Sequence, residues 1–256
     1  MKRFIGIVQF LTRIPINVNV GMDDAFYKSL VYFPLVGFVL GLLYYSIGWV
    51  SLLVFDNGIA AILILLGSVV LTGALHIDGV GDTFDGIYSY RDKERILEIM
   101  KDSRLGTNGL LAIVFLLLFK VAFIYSLLQT NNLWCVMLMP LYGRANSMCA
   151  CYKTQTPREK GMGNIFIGKA TPKMLSISLV YMLVLTFGII YLLANVVVAN
   201  FMAHIGLLLV SFILMRLFIR SIYKKIDGIT GDVLGAICEM AEVIYLIGAC
   251  IIIKFL

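Results

Sequence analysis

The chain has 256 residues, 61% hydrophobic and 14% charged, with a mean hydropathy of +0.95. A soluble domain is roughly half apolar and about a quarter charged, so this composition excludes the soluble and disordered classes. The formal net charge of +6 follows membrane topology, as shown below, and is not read as a nucleic-acid footprint.

Residues 4–15 open on a short apolar run after Lys2 and Arg3 and end at Pro15. A signal peptide begins in the same way, but no small-residue cleavage site follows, so the segment reads as an in-plane interfacial helix. Apolar runs long enough to cross a bilayer then fall near 30–54, 59–75, 110–128, 133–152, 175–194, 201–219 and 233–253. The expected fold is therefore all-α: a polytopic membrane helix bundle of about seven transmembrane helices, in one domain over 1–256, with a polar cytoplasmic-side segment after the second span.

Lys and Arg segregate between alternate connections. They stand before the first span, at Arg91, Lys93, Arg95, Lys101 and Arg104 after the second, at Lys153, Arg158, Lys160, Lys169 and Lys173 after the fourth, and around the end of the sixth. The connections 55–58, 129–132 and 195–200 carry none. By the positive-inside rule the N-terminus lies in the cytoplasm and the C-terminus outside, in a cell (inner) membrane protein.

The polar segment after the second span begins His76-Ile-Asp78-Gly-Val-Gly-Asp82-Thr-Phe-Asp85-Gly86. Spacings of four and three place Asp78, Asp82 and Asp85 on one helix face. Three anions near hydrocarbon need cations, and Asp oxygens suit a hard divalent ion such as Mg2+, usually shared with substrate phosphates. A solvated loop would carry the same residues. His76 reads as a polar interface residue, with a substrate contact as the alternative. Residues 92–102 alternate charges with Ile96, Leu97, Ile99 and Met100, a pattern for an interfacial helix. Lys101 and Arg104 follow, just before the third span, where helix N-terminal amides favour phosphate. Arg158 and Lys160 form a similar set after the fourth span, explained about as well by topology.

At the start of the last span, Asp232, Gly235, Glu239 and Glu242 share a narrow arc that must face the bundle. Asp232 and Glu239 are expected to bind substrate, although structural hydrogen bonding between helices would use the same residues. Lys120 and Arg144, deep in the third and fourth spans, are partners for such acids, either in structural ion pairs or behind a substrate contact. The five cysteines all fall within spans without a Cys-x-x-Cys pair and are read as small apolar residues.

Three segments in register resemble the cobalamin synthase family, the adenosylcobinamide-GDP ribazoletransferases. They are Leu75-His76-Ile-Asp78 through Gly86, Met100-Lys101-Asp102-Ser103-Arg104-Leu-Gly106, and Thr230-Gly231-Asp232-Val-Leu234-Gly235-Ala236 with Glu239 and Glu242. Phe10-Leu-Thr-Arg-Ile-Pro15 and Phe33-Pro-Leu-Val-Gly37 are similar as well. Gly81, Phe84 and Asp227 depart from the family pattern without removing an acid. The resemblance implies transfer of the cobinamide phosphate of adenosylcobinamide-GDP to α-ribazole, or its 5'-phosphate, with release of GMP. It also implies Mg2+ on Asp78, Asp82 and Asp85, a general base at Asp85 or Asp102, and phosphate contacts from Lys101 and Arg104, with Arg158 and Lys160 behind them.

Two other readings stay open. Asp82-x-x-Asp85-Gly86 echoes half of the CDP-alcohol phosphotransferase motif, whose second half is missing here. An ion-coupled transporter would also bury acids, but these acids collect at the cytoplasmic helix ends and no internal repeat is present. The expected partners are the small-molecule substrates and the lipid bilayer, with no nucleic acid; self-association to a homo-oligomer is left open.

Overall fold

The computed structural model describes residues 2–194 and 196–256; Met1 and Asn195 lie outside the described residues, the latter within the connection expected at 195–200. Among the described residues there are ten α-helices, two short 3-10 helices and no strand.

Helix α1 (Lys2–Leu11) packs through Ile7, Val8 and Leu11 and stops before Pro15. A 3-10 stretch (Phe26–Tyr32) leads into α2 (Phe33–Leu52), with Pro34 in the first turn, where its missing N–H costs nothing. Helix α3 (Asn57–Thr72) is capped by Asp56, whose carboxylate accepts from the amides of Gly58 and Ile59. Gly73 and Ala74 both take left-handed backbone, at φ 61° and 56°, and end it. The chain turns through 88° into α4 (Leu75–Ile87), the helix of the three aspartates.

Helix α5 (Lys93–Ile99) is the short amphipathic segment expected within 92–102 and buries Ile96. Then come α6 (Thr107–Gln129), α7 (Cys135–Ala150), α8 (Pro172–Leu193), α9 (Val197–Ile226) and α10 (Gly231–Phe255). Exposed apolar side chains run along α6, α8 and α9, including Phe115, Leu118, Val180, Val184, Leu209 and Ile213, as a lipid-facing surface requires. The chain is a multi-pass membrane protein by length and composition of its helices.

The expected seven spans are not all matched. Five segments are long and apolar enough to cross: Phe26–Leu52, Thr107–Gln129, Pro172–Leu193, Val197–Ile226 and Gly231–Phe255. The α3–α4 pair makes a sixth only as a broken span. The run expected at 133–152 is α7, only 16 residues long, about 24 Å at the helical rise. All its residues except Cys149 are buried, so protein rather than lipid meets its surface. Its apolarity reflects an interior position.

Close helix approach organises this interior. Gly37 and Gly41, one turn apart on α2, lie against the backbone of Met137, Pro140 and Leu141 in α7, where any Cβ would overlap carbonyl oxygen. Gly79 of α4 meets the backbone of Asp232 in α10, and a Cβ there would stand 2.6 Å from the Asp232 carbonyl oxygen. Gly235 faces His76 in the same way, with 3.1 Å from its Cβ position to the His76 carbonyl oxygen. This pair of glycines brings the start of α10 against the aspartate helix.

Candidate active site

A cavity of about 440 Å³ opens where α4, α10 and the connection after α7 meet. Asp78 and His76 line it from α4, Gly231, Asp232 and Gly235 from α10, and Lys101 from the segment after α5. Arg158, Lys160, Gly163 and Asn164 come from the connection after α7. That connection is pinned in place: Gln155 accepts through its carbonyl from the amide of Ile229 at 2.9 Å, and its own amide donates to the Tyr223 hydroxyl at 2.7 Å. Gly163 packs directly on Gly231, with 2.7 Å between its Cβ position and the Gly231 nitrogen.

Asp232 stands in the first turn of α10, behind the Thr230 cap. Its carboxylate pairs with Arg158 Nη1 at 2.8 Å and accepts from the Thr230 hydroxyl at 3.2 Å. Arg158 Nη2 also reaches the Met100 carbonyl at 3.4 Å, while its buried Nε has no partner among the described residues. Half-buried Asp82 feels the negative charges of Asp232, Asp78 and Asp85, and Arg158 is the cation among its main influences. Lys101 and Lys160 add to Arg158, so the lining presents two carboxylates and three basic side chains. The basic side chains suit an anionic phosphate, and the carboxylates are the oxygen donors that a hard divalent cation prefers.

Five of the expected residues, Asp78, Lys101, Arg158, Lys160 and Asp232, line one cavity, and Asp82, one turn along α4 from Asp78, is half-buried and off its lining. Four do something else. Asp85 turns to the start of α6, where its two oxygens accept from the amides of Gly106 (2.7 Å) and Gly109 (2.8 Å). It occupies the position of a capping carboxylate on a helix whose own N-cap, Gly106, has no side chain to offer. Asp102 and Arg104 pair with each other at 2.6 Å in the open, away from the cavity. The Arg104 hydrogen bonds hold the Asp102 carboxyl down at about 2, far below what a general base at neutral pH needs.

Glu239 is the fourth. Sequence spacing made it a substrate contact, whereas the structure buries it in an ion pair with Lys120 Nζ at 2.5 Å. Lys120 also holds Glu242 at 2.5 Å, and Glu242 pairs with Arg144. Two cations meet two carboxylates in the bundle interior, and no lining residue of the cavity belongs to this set. The correction has a plain cause: Glu239 lies two helical turns beyond Asp232, deeper in the bundle, where an unpaired charge costs several kcal/mol. One link joins the two regions, since Arg144 Nη2 lies 3.5 Å from Nδ1 of the cavity residue His76.

Among the described residues no three His, Cys, Asp or Glu side chains converge on a point that would hold a metal by themselves. Asp78 and Asp82 share α4, but Asp85 points to its amides, so the expected ligand set is divided. Sequence reasoning gave no role to the aromatic side chains Phe10, Phe33 and Phe166, which border the cavity. Neither periodicity nor spacing links positions so far apart.

The fold and site together define a helical, multi-pass membrane protein with an acidic and basic cavity at the ends of its helices, suited to phosphate-bearing substrates. Residues 3–250 match the family model described as cobalamin-5-phosphate synthase, and the chain belongs to that family. Similar curated proteins named adenosylcobinamide-GDP ribazoletransferase occur in Clostridioides difficile (58% identical, covering 96% of each chain) and Alkaliphilus metalliredigens (45%, covering 96% of this chain and 94% of the relative). Another, in Clostridium novyi, is 37% identical over 96% of each chain. No solved structure matches the chain.

Proposed function

We propose that the protein is an adenosylcobinamide-GDP ribazoletransferase of the cell membrane, with its site on the cytoplasmic side. It joins adenosylcobinamide-GDP to α-ribazole, or to the 5'-phosphate, and releases GMP. The observation that carries this reading is the single cavity in which Asp78 and Asp232 face Lys101, Arg158 and Lys160. The basic connections that build it are those the positive-inside rule places in the cytoplasm, where soluble nucleotides arrive.

The ribose hydroxyl oxygen attacks the phosphorus attached to the cobinamide, a new P–O bond forms, and the bond to GMP breaks. Arg158, Lys101 and Lys160 hold the diphosphate oxygens and offset the charge that gathers on the departing GMP. A carboxylate takes the hydroxyl proton. Asp85 and Asp102 are committed elsewhere and Asp78 is assigned below to the metal, which leaves Asp232 on the cavity for this role.

The donor set fits Mg2+, which needs only one or two protein carboxylates when substrate phosphates and water complete its shell. Asp78 and Asp82, one turn apart on α4, would hold it, with Asp232 across the seam. When bound, Mg2+ would neutralise diphosphate charge and make the phosphorus a better electrophile.

The test incubates purified, detergent-solubilised protein with adenosylcobinamide-GDP, α-ribazole and Mg2+, and follows cobalamin and GMP by mass spectrometry. The wild type should form both products only with the metal. Asp82→Asn should lower turnover by about a thousandfold while the protein still inserts and folds. Turnover by a folded Asp82→Asn variant near the wild-type rate would remove the metal role, and a folded wild type that formed neither product would remove the activity.

A further inference from the structure

The cavity has a second, apolar wall. Phe10 from α1, Phe33 from the start of α2 and Phe166 from the connection after α7 border it, together with Leu11, Leu75 and Leu234. Phe166 lies at the centre of this wall, with ring centroids 5.4 Å from Phe10 and 5.3 Å from Phe33, both nearly edge-on at 70° and 72°. Phe26 packs behind, 5.9 Å from Phe166, and does not border the cavity. Resting on the transferase reading above, we propose that the Phe10–Phe33–Phe166 wall seats the planar base of the incoming ribazole nucleoside, with its ribose directed to the charged wall.

Three observations carry the assignment. The wall is preformed. Phe33 and Phe166 are buried, and the helix bearing Phe10 is fixed by Gln9, whose amide nitrogen donates to the carbonyls of Ile16 (2.9 Å) and Val18 (2.8 Å), and by the Arg13 amide bonded to the Leu71 carbonyl at 2.7 Å. Stacking on such a surface therefore takes little ordering of the protein. A cavity of about 440 Å³ is of nucleoside size. Third, the surroundings discriminate between the two bases the reaction brings.

Guanine presents hydrogen-bonding groups around its edge, and burying them unpaired is costly. The wall offers phenyl and leucine side chains. Asn164, the amide side chain on the cavity, is already committed, donating to the carbonyls of Arg158 (2.8 Å) and Glu159 (3.1 Å) and accepting from the Thr156 hydroxyl at 3.2 Å. A benzimidazole base is flat, apolar over its benzo ring, and carries one ring-nitrogen acceptor, so it asks for fewer edge partners than guanine. The cavity also carries His76, Asp78, Ser147 and Asp232, so discrimination against nucleosides with polar bases rests on the aromatic wall, whose side chains cannot pair their edges.

Phe10→Leu keeps the residue apolar and removes the ring at the partly exposed member of the wall, where folding is least at risk. Binding of α-ribazole to full-length, detergent-solubilised protein is measured by equilibrium dialysis, alongside steady-state kinetics with both substrates. Phe10→Leu should weaken α-ribazole binding and raise its KM by about tenfold, leave the KM for adenosylcobinamide-GDP within about twofold, and be rescued by Phe10→Trp. A raised KM for adenosylcobinamide-GDP with α-ribazole unaffected would put the guanine on the wall and overturn the proposal, as would no change in either. Dialysis separates this proposal from the transferase reading. If the folded wild type does not turn over but binds α-ribazole through Phe10, the subsite stands and the reaction falls; absence of binding removes the subsite.

Discussion

The two charged regions of this molecule are built from the same residue types and behave differently. In the bundle interior Lys120, Arg144, Glu239 and Glu242 form a closed set in which every charge has an opposite within ion-pair distance. At the cavity Asp78 and Asp232, with Asp82 beside them on α4, face Arg158, while Lys101 and Lys160 reach the cavity without an ion-pair partner among the described residues. A set that neutralises itself leaves no net charge for a ligand to balance. One that does not is completed by something from outside. Burial alone does not distinguish them; pairing does.

The sharpest way to break this comparison is to open the closed set. Lys120→Met leaves Glu239 and Glu242 with Arg144 alone and should destabilise the protein by about 3–5 kcal/mol, seen as a lower thermal midpoint in detergent and a poorer yield. Adding Glu239→Gln should recover most of the loss, because the second change removes the charge that the first left bare. A single Lys120→Met variant as stable as the wild type would mean that the interior charges are already solvated or neutral.

The cavity should answer in the opposite way. Arg158→Gln removes the cation facing the carboxylates, and with it a charge-assisted contact to phosphate. The KM for adenosylcobinamide-GDP should rise at least tenfold, since a hydrogen bond to a charged group contributes about 1.5–3 kcal/mol, while the thermal midpoint falls less than in Lys120→Met because the Asp232 pair is partly exposed. A large drop in stability with an unchanged KM would place Arg158 in the structural class with Lys120.

Much of this arrangement was legible in the sequence, and what was not has a common cause. The spacing of Asp78, Asp82 and Asp85 gave a helix and a face, and α4 has both. Periodicity does not say which neighbour the face meets. Asp85 is drawn to α6 because Gly106 and Gly109, more than twenty residues on, present free amides there. Glu239 meets Lys120 across 119 positions. Hydropathy cannot tell lipid from a protein interior, so the apolar run of α7 does not say that its surface is covered by other helices, and the aromatic wall joins Phe10, Phe33 and Phe166 from three separate segments.

The smallest expected effect lies in the third kind of charge pair, the exposed Asp102–Arg104 contact. Its folded-state carboxyl is depressed to about 2, so any stability it supplies is present above the usual carboxylate range and is lost only as pH falls through about 2. Between pH 5 and 8 the pair does not titrate, and solvent screens it. Asp102→Asn should therefore leave turnover within about twofold and the pH–rate profile unmoved. A general base at Asp102 would give the opposite result: loss of turnover by about a hundredfold or more, with the acidic limb of the profile removed. Measuring kcat against pH for this one variant separates an exposed pair that belongs to neither region from a carboxylate recruited to the cavity when substrates bind.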